Sequence, residues 1–507
     1  AFGVLEKRVH DALLAYQKAR TAFVEAVHSA GASEDAGALS ALVNGDVITL
    51  LTKPLIEDPQ PSVQVGALQT VGILAAGHAP TASGLVQGDV IGKVIGSLSH
   101  AKQQVQVAAN GAVQAVAKTD EGCAQSCLSA GVLAPLRAEM DSLDTEVREA
   151  AVKTLTTLVD AGEPVVKEML DEPTLSKLKL CLESPGATAR LKGAVANLLA
   201  DTCSYSADVT RKVVEADVVA PLAELAAPSP GPPKLRAAAM RALGQVAKHD
   251  EEMAGVVVGS GAVIPHVLAA LVDTSPAVRS AAAILTREIV SKTADLANSF
   301  ATDGAASCLV QNLSLEAGSP AALPATLVLG HLADFKKANA SIVVAAEAGK
   351  ALVKATGAGV AETVRVAAAW SLVQVGKHGA EFAHPLAEAG ALKTLLAAYI
   401  HAPSASALKE KSKEAFKTIV RHCGDLGALE PLVAAETPPE LVRHVLAEFA
   451  RALPEEVAHR RSFVTSGALL RMLTVAKAGA LDERALNDVA FLKTLFPEDV
   501  VAYFAAQ

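Results

Sequence analysis

Two thiols four residues apart, Cys123 and Cys127, share one face of a helix, the spacing a metal site uses. No histidine or second cysteine pair stands close enough in sequence to complete four ligands, so the pair reads as helix interior and no metal is expected. Three histidines follow a cation at the end of a long helical stretch: Lys248-His249, Lys377-His378 and Arg421-His422. A recurring cation–imidazole pair suits a metal or a proton switch. The plainer account sets positive charge against the negative end of a helix dipole, typically ~0.3–1 kcal/mol each. The chain has no His-Glu-x-x-His, no Gly-Lys-Ser/Thr phosphate loop and no Gly-x-Ser-x-Gly elbow. Gly259-Ser260-Gly261 and Gly357-Ala358-Gly359 follow no strand pattern and read as turns. The expectation is a non-enzymatic chain with no catalytic residue and no cofactor.

A ladder of arginines is the better candidate. Arg148, Arg190, Arg236, Arg279, Arg365 and Arg443 lie 17, 18, 19, 18, 16 and 16 residues after positions 131, 172, 217, 261, 349 and 427. Equivalent positions in stacked units would line up, giving a cationic stripe for acidic protein tails. The same arginines would equally serve packing between units, and spacing alone leaves both open. A second basic cluster, Lys409, Lys411, Lys413 and Lys417, alternates with Glu410 and Glu414 and reads as a solvated face with paired charges.

The elements that must position these residues repeat. A small residue, glycine, then apolar residues at helical spacing recur at Gly45, Gly88, Gly131, Gly261, Gly304, Gly349, Gly390, Gly427 and Gly467, with Glu172 and Asp217 standing in for glycine. Successive differences run from 37 to 45 residues, the period of armadillo or HEAT units; the 34- and 33-residue TPR and ankyrin periods are too short. After each phrase comes an apolar helix, a turn that often holds proline (Pro59, Pro185, Pro276, Pro320), and a longer helix opening on an arginine and alanines, as in Val278-Arg279-Ser280-Ala281-Ala282. One unit cannot bury its apolar face alone, so units must stack. The predicted fold is all-α: an armadillo-repeat, right-handed superhelical solenoid of about ten to eleven three-helix repeats. Its predicted divisions are an N-terminal capping helix (1–30), the solenoid (31–466), and a last partial repeat with a helical tail (467–507).

Composition agrees. Hydrophobic residues make up 51% of 507 but aromatics only 3%, so the core is built from Ala, Val and Leu that let helices approach closely. A net charge of −9 gives no electrostatic reason to bind nucleic acid. Six scattered cysteines point to a reduced, intracellular setting, and the charged start (Glu6, Lys7, Arg8, Asp11) is unlike a secretory signal. The uncharged window Met253–Val272 is long enough to span a membrane but is broken by glycines and Pro265, so no membrane segment is expected. Leu5, Val9, Ala12, Leu13, Tyr16, Ala19, Phe23 and Val27 form one stripe ahead of the first repeat. The aromatic tail, with Phe496, Tyr503 and Phe504, reads either as packing on the last repeat or as a docking surface for a partner or second copy.

Particular phrases narrow the family. Trp370 is the one tryptophan and Gln374 follows it one turn on, so the Trp/Asn groove of importin-α-type readers is absent. Tyr16-Gln17-Lys18-Ala19-Arg20-Thr21-Ala22-Phe23-Val24, Ala368-Ala369-Trp370-Ser371-Leu372, Arg460-Arg461-Ser462-Phe463-Val464-Thr465-Ser466-Gly467 and Phe496-Pro497-Glu498-Asp499-Val500-Val501 resemble the sperm-associated antigen 6 family, armadillo proteins of the ciliary central apparatus. The first four repeats keep the family phrase poorly, and the end at Gln507 lacks the family's Ser-Pro-Gly-Tyr tail, which suggests a divergent member. The resemblance implies a structural scaffold in the cytoskeleton of cilium or flagellum. It would bind tubulin of the C1 microtubule and neighbouring armadillo proteins, and form homo- or hetero-oligomers along the microtubule. The alternative is a cytosolic armadillo adaptor that binds extended peptides.

Overall fold

The computed structural model describes residues 2–32, 53–77, 82–85, 90–228, 231–455 and 457–506. Among the described residues the regular elements are helices, with no strand. They form two compact units, Ala1–Ala262 and Val263–Gln507. Each is a stack of armadillo-type repeats. Labels here go to the N-terminal helix α1 (Phe2–Ala32), the long helix of each repeat, and the tail helix. In the first unit the long helices are α2 (Pro61–Gly77), α3 (Gln103–Ala117), α4 (Thr145–Val159), α5 (Ala189–Cys203) and α6 (Pro233–Ala247). In the second they are α7 (Pro276–Val290), α8 (Leu323–Phe335), α9 (Glu362–Gly376), α10 (Ala407–His422), α11 (Pro439–Ala452) and α12 (Glu483–Lys493), followed by α13 (Glu498–Ala506). Within each unit, successive long helices lie side by side.

One repeat shows why the sequence folds this way. Asp120 accepts the Cys123 amide at 2.7 Å and starts a short helix, Glu121–Ser129. Gly131, at φ 83°, turns the chain into a second helix, Leu133–Glu139. Asp144 then accepts the amides of Glu146 and Val147 and opens α4. Each such cap is worth about 1 kcal/mol. Ser206, Asp250 and Thr293 cap the corresponding short helices. The glycine phrase therefore opens the second helix of a repeat.

The left-handed turn also corrects three anchors. Asp217 holds it without glycine, at φ 55°. In the repeat anchored at Gly349 the left-handed residue is Glu347, and near Gly427 it is Gly424. Glu172 instead opens a helix capped by Asp171. Gly45 and Gly88, and Ser229-Pro230 of the proline-rich turn, lie outside the described residues.

Neighbouring repeats are stitched by polar side chains as well as by apolar burial. The last turn of a helix leaves carbonyls with no partner in the helix. Tyr205 donates its hydroxyl to the Val159 carbonyl at the end of α4, 2.7 Å away. His249 and His378 reach the carbonyls of Cys203 and Ala333 at 2.6 Å, one repeat earlier. A carbonyl only accepts, so Nε2 carries the proton in both rings. These histidines thus serve the negative end of the preceding long helix.

Close approach has its own signature where α8 meets α9. A Cβ on Gly330 would sit 2.6 Å from Ser371 Oγ and 2.8 Å from Trp370 Cε3. Gly330→Ala should therefore push α9 outward and destabilise these repeats by about 1–3 kcal/mol, the usual range for overpacking. Fluorescence of Trp370, the one tryptophan, reads this directly; an unchanged spectrum and melting temperature would refute it.

The two ends differ from expectation. Val24 and Val27 of α1 are buried, but Leu5, Val9, Leu13 and Tyr16 of the same stripe are exposed. Phe496 is 8% exposed and stacks on Phe463 at 6.0 Å between ring centres, and Phe463 meets Phe449 edge-on at 4.9 Å. Of the two readings of the tail, packing describes Phe496: its ring is part of the core.

Candidate partner-binding grooves

The arginine ladder has a regular place. Counted from the left-handed residues, Arg148, Arg236, Arg279, Arg365 and Arg443 follow residues 131, 217, 261, 347 and 424 by 17, 19, 18, 18 and 19 positions. All lie in the first turns of long helices. Arg279 donates to the carbonyls of Asp273 and Thr274 at 2.8 and 3.1 Å and pairs through Nε with Glu316 of the next repeat at 2.7 Å. Arg365 donates to the Thr356 carbonyl at 3.2 Å. Arg148 reaches the Thr145 hydroxyl.

Arg236 and Arg279 are 7% and 8% exposed, so the six arginines do not form the continuous solvent-facing stripe drawn from their spacing. The Arg279 and Arg365 guanidinium groups hold the turns ahead of their helices, and Arg279 also ties in the next repeat. Arg190 and Arg443 differ: Arg190 is exposed and bonds Glu149 of the preceding repeat at 3.2 Å, while half-exposed Arg443 bonds Asp482 at 3.2 Å. Both lie where a partner would reach them.

In the tail, Tyr503 is exposed and meets Phe504 edge-on at 5.2 Å. Their helix, α13, has no buried residue and lies against the helix Ala468–Lys477, whose Lys477 bonds the Ala505 carbonyl. The aromatic pair the sequence singled out is therefore surface, unlike Phe496.

Each unit also carries an open groove that the sequence did not disclose. In the first unit a groove of about 770 Å³ is lined by Asp171, Glu172, Glu183, Glu215 and Asp217 against Lys179 and Lys212. In the second a groove of about 650 Å³ between α10 and α11 is lined by Lys417, Arg421, His422, His444 and Arg451, with Glu448 its one carboxylate. Of the lysine cluster read as a solvated face, Lys411 pairs with Glu414 and Lys409 sits over the Tyr399 ring, but Lys417 belongs to this groove.

The thiols are free, all buried except half-buried Cys308, and burial pushes Cys127 and Cys203 up to about 12, so neither is a thiolate near neutral pH. Among the described residues no three His, Cys, Asp or Glu side chains gather to hold a metal. The window Met253–Val272 is two helices, Glu251–Gly259 and Val263–Leu271, and no single described helix is long and apolar enough to cross a membrane.

Human sperm-associated antigen 6 is 36% identical to this chain over 143 residues, 28% of this chain and 27% of the human protein, and the mouse protein matches to the same extent. Over those residues the chain is similar to sperm-associated antigen 6. The match spans about a quarter of the relatives' length. No family model matches the chain. Among solved structures, the crystal structure of an engineered protein aligns with a TM-score of 0.67 at 17% identity, over 88% of this chain and 98% of that one. That likeness concerns the fold alone, and it agrees with the three-helix repeats described above.

Proposed function

We propose that this protein is a non-enzymatic armadillo scaffold of the ciliary or flagellar axoneme. It binds tubulin of the C1 central-pair microtubule and neighbouring armadillo proteins, supporting assembly of the central apparatus and motility. The observation that carries the proposal is the kinship with sperm-associated antigen 6. Its physical support is a pair of repeat stacks, tied by charge pairs between neighbouring repeats, that hold contact surfaces at fixed spacing. Arg190 and Arg443 are the ladder members placed to meet a partner, and exposed Tyr503 with half-buried Phe504 supplies an aromatic pair; Arg148, Arg236, Arg279 and Arg365 shape the face from beneath.

Tagged protein expressed in cells with motile cilia should stay in salt-washed axonemes. Its release with the soluble matrix, or equal abundance in cells without cilia, would favour a cytosolic peptide-binding adaptor instead. Tyr503→Ala with Phe504→Ala should lower axonemal incorporation while leaving helicity and melting temperature intact; unchanged incorporation would remove the tail from the interface.

A further inference from the structure

The groove between α10 and α11 departs from the charge pattern of the repeats around it. Several cations in or just after other long helices of the second unit are committed: Arg279 to Glu316, Lys377 to Asp334, Arg443 to Asp482. Lys417 and Arg421 have no carboxylate partner among the described residues. The one acid in the groove, Glu448, is engaged through both its oxygens by Arg451. Two free cations therefore face an open cleft on a chain whose net charge is −9.

The two imidazoles are equally uncommitted. His422 holds the position that His249 and His378 hold after their own long helices. Those rings each donate to a carbonyl one repeat earlier; His422 makes no such bond among the described residues and lines the groove instead. His444 buries its Nε2 with no hydrogen-bond partner. Burial and the cations Arg443, Lys417 and Lys413 push His444 down to about 4, a sign of local positive potential that Asp482 only partly offsets.

The spacing selects the shape of a ligand. Lys413, Lys417 and Arg421 stand four residues apart on one ridge of α10, roughly 6 Å per step. Side chains on one face of an extended peptide repeat every two residues, roughly 6.6 Å. Acidic residues at alternate positions would therefore meet successive cations. No Phe, Tyr or Trp lines the groove as a broad platform to stack a base, which favours peptide over single-stranded nucleic acid.

We propose that this groove binds an extended peptide segment with carboxylates at alternate positions, Lys417 and Arg421 gripping successive acids while His422 and His444 donate to the same chain. The site stands on its own geometry, and the binding assay and the axoneme extraction succeed or fail independently.

The test is fluorescence anisotropy of the full chain with a fluorescein-labelled twelve-residue peptide of alternating glutamate and serine. Binding should weaken steeply with added salt, and Lys417→Ala with Arg421→Ala should weaken it about tenfold or more. Both side chains are exposed, so circular dichroism should show the variant fully folded. Arg211→Ala, an exposed cation of the other unit paired with Asp208, serves as a control with unaltered affinity. No binding by the wild-type chain, or equal binding by the double variant, would overturn the site. Tighter binding of a labelled single-stranded oligonucleotide than of the peptide would overturn the peptide assignment.

Discussion

Phe463→Ala should unfold the C-terminal repeats locally, at a cost of about 3–5 kcal/mol. The ring is completely buried and joins three elements that share no other aromatic link. Its edge contact is Phe449 of α11, and its stacked partner is Phe496, which lies between α12 and α13. Truncation removes one ring's burial and both aromatic contacts, and neighbouring repeats cannot compensate because a solenoid transmits stability only to adjacent layers. The loss should therefore show as faster amide exchange in Ala468–Lys477 and α12, with α7 and α8 unaffected. Equal protection across the second unit would disprove the local core. Tyr503→Ala is the matching control: an exposed ring should change stability by no more than about 0.5 kcal/mol. The pair also separates packing from docking, since deleting the tail from Phe496 onward would confound the two.

The repeat was legible because its markers are local. A left-handed turn, a proline at a helix start and an Arg-Ala-Ala opening each need only a few residues in sequence, and together they gave the period and the all-helical stack. What failed needed a neighbour in space. Phe496 stayed open between packing and docking because its partner Phe463 lies in another helix. The arginines were placed at the right helical position, but their direction depends on carbonyls such as those of Asp273 and Thr356, which only the folded turn brings within reach. Lys417 seemed one more member of an alternating charge run; the groove appears only when α11 lays His444 and Arg451 beside it. The stripe on α1 has the right period for a capping helix, yet period does not say whether anything covers a helix.

Glu139→Gln should remove a pH dependence built into the first unit. Glu139 is 3% exposed, and burial pushes its carboxyl up to about 8 even though the Asn110 amide donates to it at 2.8 Å, an effect of the opposite sign. Its other oxygen has no partner. Asn110 in turn accepts from the Thr154 hydroxyl at 2.6 Å, so the acid closes a polar network between α3 and α4. With a folded-state pKa above the unfolded one, the folded state binds the extra proton. Stability is full below the unfolded value of 4.5 and declines as pH rises towards about 8, beyond which both states are ionised and no further change comes from this group. The decline should amount to a few kcal/mol, about 1.4 for each pH unit traversed at the steepest part. Glutamine keeps an oxygen to accept from Asn110 and cannot ionise. Amide exchange in α3 and α4 should accelerate between pH 5 and 8.5, after correction for intrinsic rates, in the wild-type chain and stay level in the variant. Parallel curves would mean that water reaches Glu139 and that the network carries no buried charge.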